Sequence, residues 1–399
     1  MKGRFNVANY EEIKSGLTSD IYFFRTVEIL KGENINPYVV AEFTMHRPPK
    51  NWPWVVFTGL DEVIELLDGV PVDLYAIPEG TIIPYKDYFG VKVPVMYIHG
   101  KYADFALYET PILGMISQAT GIATKAARIK KIAGDKTVLA FGIRRMHPAI
   151  APMIDRASYI GGCDAVSSVI GAKTIGITPT GTMPHALILA LGSPEKAWVA
   201  FDKHMPEDVP RIALVDTISD EKREALKAAE ILGKRLFGVR LDTPSSRRGN
   251  MKDIVLEVKW ELKLRGYDHV KIVVSGGLDE EEIEKLKDVV DAFGVGSSIS
   301  NAPAVDFAMD LVEVEGNPIA KRGKIAGRKM LMKCELCKNY FVFPKGEKST
   351  KCPVCGSTLK PTFEKYIENG RVIKEPEDPK EIRKRVLEQL KDLGLNTYP

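Results

Sequence analysis

The chain has 399 residues, 45% hydrophobic and 27% charged, with a net charge of +3. That length can bury a large core and suits two or three domains, and so mild a charge gives no support for nucleic-acid binding. No apolar run approaches the roughly 20 residues that span a bilayer, and Met1-Lys2-Gly3-Arg4-Phe5-Asn6 lacks the apolar centre of a signal peptide. The expectation is a cytoplasmic protein with no membrane partner, and its lean toward Lys and Glu fits a thermophile.

Residues 1–112 are mixed in character. Leu17–Tyr22 leads into an apolar stretch. Between Val70 and Met96, Pro71, Pro78, Gly80, Pro84, Gly90 and Pro94 break short strands, a spacing that predicts a small antiparallel sheet. Thr110-Pro111 predicts a helix start, with Thr at the N-cap, Pro in the first turn and Glu109 near the positive end of the dipole.

Residues 113–312 alternate strand-like and helix-like segments. Val138–Arg145, Ile212–Thr217, Leu236–Asp242, Val270–Gly277 and Ala292–Ser298 are apolar runs that end in Gly, Arg, Asp or Ser. Ala165–Ile170 predicts a sixth strand with Gly171 in its exit loop, and Ile175–Thr178 is an extra candidate. Helices are predicted over Asp220–Lys234, Met251–Arg265 and Asp279–Val290. Such alternation implies a parallel sheet covered by helices. Six strands, not eight, predict an irregular or incomplete barrel whose chemistry collects at the carboxyl ends of the strands. Beyond it, residues 334–365 form a metal module. Residues 366–399 form a tail whose helical periodicity over Asp378–Leu395 predicts a surface helix.

Four of the five cysteines form Cys334-x-x-Cys337 and Cys352-x-x-Cys355. Two such knuckles supply four thiolates in a closed tetrahedron, the pattern of structural Zn²⁺, with iron as the lesser alternative. Phe141-Gly142-Ile143-Arg144-Arg145 places two guanidinium groups at a strand end, suited to carboxylate or phosphate. His185 follows Gly181-Thr182-Met183-Pro184. It could be a base, a metal ligand or a phosphorylation site, or simply cap the helix of Ala186–Leu191. Asp216 and Asp242 end strands, where they could hold Mg²⁺ or ribose hydroxyls, although a helix N-cap explains them without any ligand. Ser275-Gly276-Gly277 and Gly294-Val295-Gly296-Ser297 are late glycine turns of the kind that cradle phosphate. Lys321, Lys324, Arg328 and Lys329 form a basic run that could touch pyrophosphate, though such runs are more often solvated.

Taken together, Thr18-Ser19-Asp20-Ile21-Tyr22, Glu109-Thr110-Pro111-Ile112-Leu113, Phe141-Gly142-Ile143-Arg144, Gly181-Thr182-Met183-Pro184-His185, Arg240-Leu241-Asp242 and the two glycine turns resemble the type II phosphoribosyltransferases, most closely an archaeal-style nicotinate phosphoribosyltransferase. The resemblance covers roughly residues 15 to 330. It implies an α/β fold: an N-terminal α/β sandwich domain over 1–112, to which 313–333 returns, and an irregular α/β barrel over 113–312, followed here by the zinc ribbon. It implies a homo-oligomer, a dimer or trimer of dimers, with shared active sites. Tyr22 from a neighbouring subunit and Phe141 would stack on the pyridine ring, Arg144 would face the ring or its carboxylate, and Arg145 and Lys173 would also bind substrate. Arg240 and Asp242 would act near base and ribose, and Thr182 and Asp216 would bind substrate. Ser275, Gly276, Gly277, Gly294, Gly296 and Ser297 would hold the 5′-phosphate.

The implied reaction joins nicotinate to phosphoribosyl pyrophosphate with Mg²⁺, in NAD salvage. His185 matches the histidine phosphorylated by ATP. The loop Gly171-Ala172-Lys173-Thr174 carries Lys173 where nicotinamide enzymes carry an acid, which favours nicotinate. Asp242-Thr243-Pro244 departs from the family's Asp-Ser-Gly-Asp and lacks its second acid. The alternatives are a decarboxylating quinolinate phosphoribosyltransferase and, from another class, a protein that binds a partner through its zinc ribbon.

Overall fold

In the computed structural model, which describes residues 5–247, 249–347 and 350–398, the apolar runs of the middle region pair in parallel. Their order is Ala165–Val166, Thr137–Ala140, Ala292–Val295, Lys271–Ser275, Leu236–Leu241, Arg211–Leu214. Both faces are covered, so Ile272, Val274, Phe293, Val295, Val239 and Leu241 are fully buried and the runs read as continuous rather than alternating. The sheet curls but stays open, a half barrel that confirms the expected incomplete closure. Register sets its carboxyl ends side by side: Val295 pairs with Ala140, Ser275 with Gly294, Val274 with Leu241, and Leu214 with Arg240.

Several boundaries differ from expectation. Val138–Arg145 is a strand only over Thr137–Ala140, and Ile143–Arg145 is a 3₁₀ turn. The strand predicted over Ala165–Ile170 stops at Val166, because Ser168 caps a helix over Val169–Ile175, its Oγ accepting from the Gly171 N–H. Gly171 and Lys173 therefore lie in that helix rather than a loop, and Ile175–Thr178 is not a strand. The three predicted helices appear as Glu221–Leu232, Met251–Leu264 and Glu280–Leu286, capped by Asp220, Asn250 and Asp279.

The remaining segments build a seven-stranded sheet in the order Asn317–Pro318, Asp306–Val314, Tyr38–Arg47, Pro94–Lys101, Val72–Ala76, Glu364–Glu368, Arg371–Val372, larger than the small sheet predicted from residues 70–96. Val39, Ala41, Phe43 and Met45 alternate onto one face and join a core with the helix Leu60–Leu67. Val40 faces the other way, to Tyr97 and Val312. By compactness the chain divides into two units, Met1–Thr124 with Pro303–Pro399, and Lys125–Ala302. A 25-residue helix, Glu109–Ala133, passes from one into the other. It opens at Glu109, and Thr110 is not its cap: the Thr110 hydroxyl donates to Asp20 Oδ2 at 2.9 Å instead.

The tail helix, Pro379–Lys391, does not simply lie on the surface. Ile382, Val386 and Leu390 are buried, and a Cβ on Gly80 would meet Ile382 Cγ2 at 2.6 Å. Gln389 bonds both Ile82 N and Gly80 O, which fixes the docking. The basic run is neutralised within its own unit. Lys321 and Lys324 lie 2.7 and 2.5 Å from Asp310, as ion contacts outside hydrogen-bond geometry. Arg328 pairs with Glu313, and the buried Lys329 with Glu42 at 2.8 Å. Among the described residues no helix is long and apolar enough to cross a membrane.

Candidate active site

Arg240 shows how the strands aim side chains into one site. Val239 and Leu241 are 0% exposed, and pleating sends Arg240 to the opposite face. Its guanidinium donates from Nε to Ser275 Oγ at 2.9 Å, from Nη1 to Thr182 Oγ1 at 2.7 Å, and from Nη2 to Asp242 Oδ2 at 2.9 Å. Its Cζ lies 5.8 Å from the centre of the Phe141 ring. Four chain segments thus meet on one arginine.

The acids are braced as firmly. Asp242 accepts the Ser275 hydroxyl at Oδ1, 2.7 Å away, and its own N–H donates to Asp216 Oδ2 at 2.7 Å. The Thr243 hydroxyl lies 2.5 Å from Glu221 Oε1 and 3.0 Å from Asp216 Oδ2. Asp216 Oδ1 is buried and accepts no hydrogen bond among the described residues. Burial holds this carboxyl above the usual carboxylate range, against the lowering effect of the Asp242 N–H and the Thr243 hydroxyl. Neither acid caps a helix, so the ligand-free explanation of Asp216 and Asp242 fails; Asp220 and Asn250 do the capping.

His185 begins the helix His185–Leu191, whose N-cap is Pro184, so it is not a cap either. Its Nδ1 lies 2.9 Å from Thr217 Oγ1, and its Nε2 lies 3.5 Å from Asp242 Oδ2 and 3.9 Å from Asp216 Oδ1. A ring held between a hydroxyl and two carboxylates, with 38% of its side chain exposed, can exchange a proton or a phosphoryl group with a ligand.

The glycines are demanded by geometry. Gly276 and Gly277 have φ of +88° and +68°, which residues with a Cβ rarely adopt. A Cβ on Gly276 would come within 2.9 Å of Asp242 Oδ1, and one on Gly294 within 2.6 Å of the Phe141 ring. No hydrogen bond engages the N–H groups of Gly276, Gly277, Gly296 or Ser297 among the described residues, which leaves four donors for an anion.

The structure therefore gathers Phe141, Thr182, His185, Asp216, Arg240, Asp242, Ser275 and the glycine turns. Ser275 spends its hydroxyl on Arg240 and Asp242. Arg144, Arg145 and Lys173 are exposed and make no ion pair among the described residues. Tyr22 belongs to the other unit, where it is 56% exposed and its hydroxyl donates to Asp20 Oδ2. Sequence reasoning missed Thr217, Glu221, Glu224 and Thr243. Their signal was position: two follow strand-end acids directly, and two sit in the opening turns of the helix after Asp216.

The cysteine module is a three-stranded sheet, Lys329–Cys334 between Tyr340–Pro344 and Leu359–Pro361. The four Sγ atoms lie within 4.8 Å of one another, with Cys334–Cys355 at 3.4 Å and Cys337–Cys352 at 3.6 Å. A tetrahedron with metal–sulfur bonds of about 2.3 Å has edges of about 3.8 Å, so this donor set fits a closed metal site such as zinc.

Residues 20–120 match the family described as Quinolinate phosphoribosyl transferase, N-terminal domain, and residues 122–310 its C-terminal domain. The nicotinate phosphoribosyltransferase of Bacillus subtilis is 31% identical over 345 residues, which cover 77% of this chain and 68% of that protein. The nicotinate phosphoribosyltransferase pncB2 of Mycobacterium tuberculosis is 27% identical over 360 residues, covering 79% and 75%. A crystal structure of nicotinate-nucleotide pyrophosphorylase from Pyrococcus furiosus is similar with a TM-score of 0.94 and 57% identity, covering 98% of this chain and all of that one.

Proposed function

The chain belongs to the type II phosphoribosyltransferase family, and we propose that it joins nicotinate to phosphoribosyl pyrophosphate, giving nicotinate mononucleotide and pyrophosphate for NAD biosynthesis, with ATP hydrolysis coupled through His185. The observation that carries the reading is the His185 ring, set between Thr217 and the Asp216–Asp242 pair at the mouth of the half barrel. The names of the Bacillus and Mycobacterium relatives support nicotinate as the acceptor.

In this reading the pyridine ring lies against Phe141 and near the Arg240 guanidinium, and Tyr22 of a second copy covers its other face. Arg144, Arg145 and Lys173, exposed and without an ion pair among the described residues, would meet the nicotinate carboxylate. The amides of Gly276, Gly277, Gly296 and Ser297 hold the 5′-phosphate. The C1–pyrophosphate bond breaks as the pyridine nitrogen attacks the opposite face, and the protein contributes position and charge stabilisation. Asp242 and the unpartnered Asp216 Oδ1 suit Mg²⁺ or ribose hydroxyls; Mg²⁺ would supply charge neutralisation for the departing pyrophosphate. Separately, a His185 nitrogen displaces ADP from the γ-phosphoryl of ATP, and water later returns the phosphoryl group as phosphate. The four cysteines would hold zinc in a structural role.

A quinolinate-using reading has its own support in the matched family's description and in the Pyrococcus protein's name, since nicotinate mononucleotide is its product too. Mononucleotide formation with nicotinate, nicotinamide or quinolinate, each with and without ATP, separates the two. Nicotinate turnover stimulated by ATP, with His185→Ala leaving slow ATP-independent turnover, is expected. Carbon dioxide release from quinolinate that ignores ATP would overturn the proposal.

A further inference from the structure

Glu224 is a carboxylate with only 4% of its surface exposed, and both of its oxygens are hydrogen-bonded. Its Oε1 accepts the N–H groups of Ile218 and Ser219 at 2.8 and 2.7 Å, and its Oε2 accepts the N–H of Thr217 at 3.2 Å. Three consecutive amides are thereby pulled onto one side chain. Burying a carboxylate is costly, and these charge-assisted bonds offset that cost. The helix Glu221–Leu232 is already capped by Asp220, so Glu224 is not needed to start it.

What the three bonds fix is the loop that carries Thr217, and the Thr217 hydroxyl has one partner among the described residues, Nδ1 of His185. On its other edge, Nε2 of His185 faces the carboxylates of Asp242 and Asp216. Neither carboxylate is hydrogen-bonded to Nε2, so the Thr217 hydroxyl sets the tautomer: by accepting the Nδ1 proton it leaves the Nε2 lone pair on the edge that faces a ligand, as attack on phosphorus requires.

We propose that Glu224 and Thr217 form a positioning relay, in which Glu224 fixes the 217–219 loop and Thr217 fixes the orientation and tautomer of His185. The inference rests on the reading of His185 as the working histidine. Glu224 touches no substrate; it is a positioning residue. A glutamine in its place can accept from Ile218 and Ser219 through its oxygen, but turns an N–H₂ toward the Thr217 N–H, so the loop must shift just where Thr217 begins.

The test uses the full-length protein. Ring nitrogen and carbon NMR shifts of labelled histidine report the tautomer, and only six histidines are present. His185→Ala assigns the signal. The wild type is expected to show the Nδ1–H form, and Glu224→Gln and Thr217→Val to show mixed tautomers, while Thr217→Ser restores the wild-type spectrum. Transfer of an acid-labile phosphoryl group from ATP should slow by roughly tenfold or more in the first two variants and recover in the third, because a small misplacement of a reacting group carries that penalty.

Lowered thermal stability with an unchanged His185 spectrum in Glu224→Gln would make Glu224 a merely structural residue and overturn the proposal. If Glu224→Gln does not fold, Thr217→Val against Thr217→Ser still decides it, and an unchanged tautomer there refutes the relay. A wild-type protein that takes no phosphoryl group from ATP would sink the ATP coupling alone, because the spectra still answer whether the relay orients the ring.

Discussion

Gly294→Ala tests whether Phe141 is held where the site needs it. The new Cβ would stand 2.6 and 2.7 Å from two carbons of the Phe141 ring and 3.0 Å from Ser275 Cβ. Carbon atoms pack comfortably at about 3.5–4.0 Å, so the overlap is about 1 Å. Phe141 is only half-buried and can swing outward, at an overpacking cost of about 1–3 kcal/mol. The swing withdraws the ring from the Arg240 guanidinium and from any pyridine lying on it. A rise in the KM for nicotinate of about tenfold is expected, equivalent to about 1.4 kcal/mol. Phe141→Leu removes the overlapping ring atoms. The double variant should therefore be more stable to urea than the sum of the singles by about 1–2 kcal/mol. Additivity within about 0.5 kcal/mol would refute the contact and the stacking argument built on it.

Three further outcomes follow from other parts of the molecule. Among the described residues the ribbon core has Met332, Cys334, Phe341, Cys352 and Leu359 as its buried members, too few to stand without a staple; one bound metal per chain is expected by elemental analysis, and chelation or Cys352→Ser should open this module to protease by several kcal/mol of lost stability. Burial, with the Arg328 charge nearby, pulls His99 down to about 4. The unfolded chain protonates near pH 6.5, so the stability tied to neutral His99 is complete above that pH and is lost as pH falls toward 4, at most about 3 kcal/mol; in urea titrations the advantage of the wild type over His99→Phe should shrink across this window, and a constant difference would argue against burial. Lys329→Met strands Glu42 in the core with the Tyr97 hydroxyl as its one remaining side-chain partner among the described residues, so a loss of about 3–5 kcal/mol is expected, largely recovered by adding Glu42→Leu; a single variant as stable as the wild type would contradict the pairing.

The half barrel was legible because parallel strands covered on both faces are apolar throughout, and the punctuation after them, Arg240-Leu241-Asp242 or Ser275-Gly276-Gly277, falls where the strands end. What resisted reading was local competition. The run Ala165–Ile170 is apolar enough for a strand, but Ser168 captures the Gly171 N–H and turns the chain helical two residues after Val166. Thr110 has the composition of a cap, yet a tertiary bond to Asp20 claims its hydroxyl. The tail helix looked like a surface element because its polar face is conspicuous; only Gly80, which has no side chain, makes room for Ile382. At the candidate site, the residues proposed to meet a ligand announce themselves by type and place. Thr217 and Glu224 look like ordinary helix-opening residues until the loop between them folds back.

The order of synthesis adds a constraint of its own. The unit Lys125–Ala302 is one continuous segment, whereas its companion is assembled from both ends of the chain. Tyr38–Arg47 pairs on one side with Pro94–Lys101, available early, and on the other with Asp306–Val314. The bond from Tyr38 N to Glu315 spans 277 residues. On the ribosome the half barrel can fold before the first sheet has all its strands, and Tyr38–Arg47 must wait with an unpaired edge. Glu364–Glu368 and the helix Pro379–Lys391 arrive last of all, so a truncation near the C-terminus leaves the N-terminal sheet unfinished.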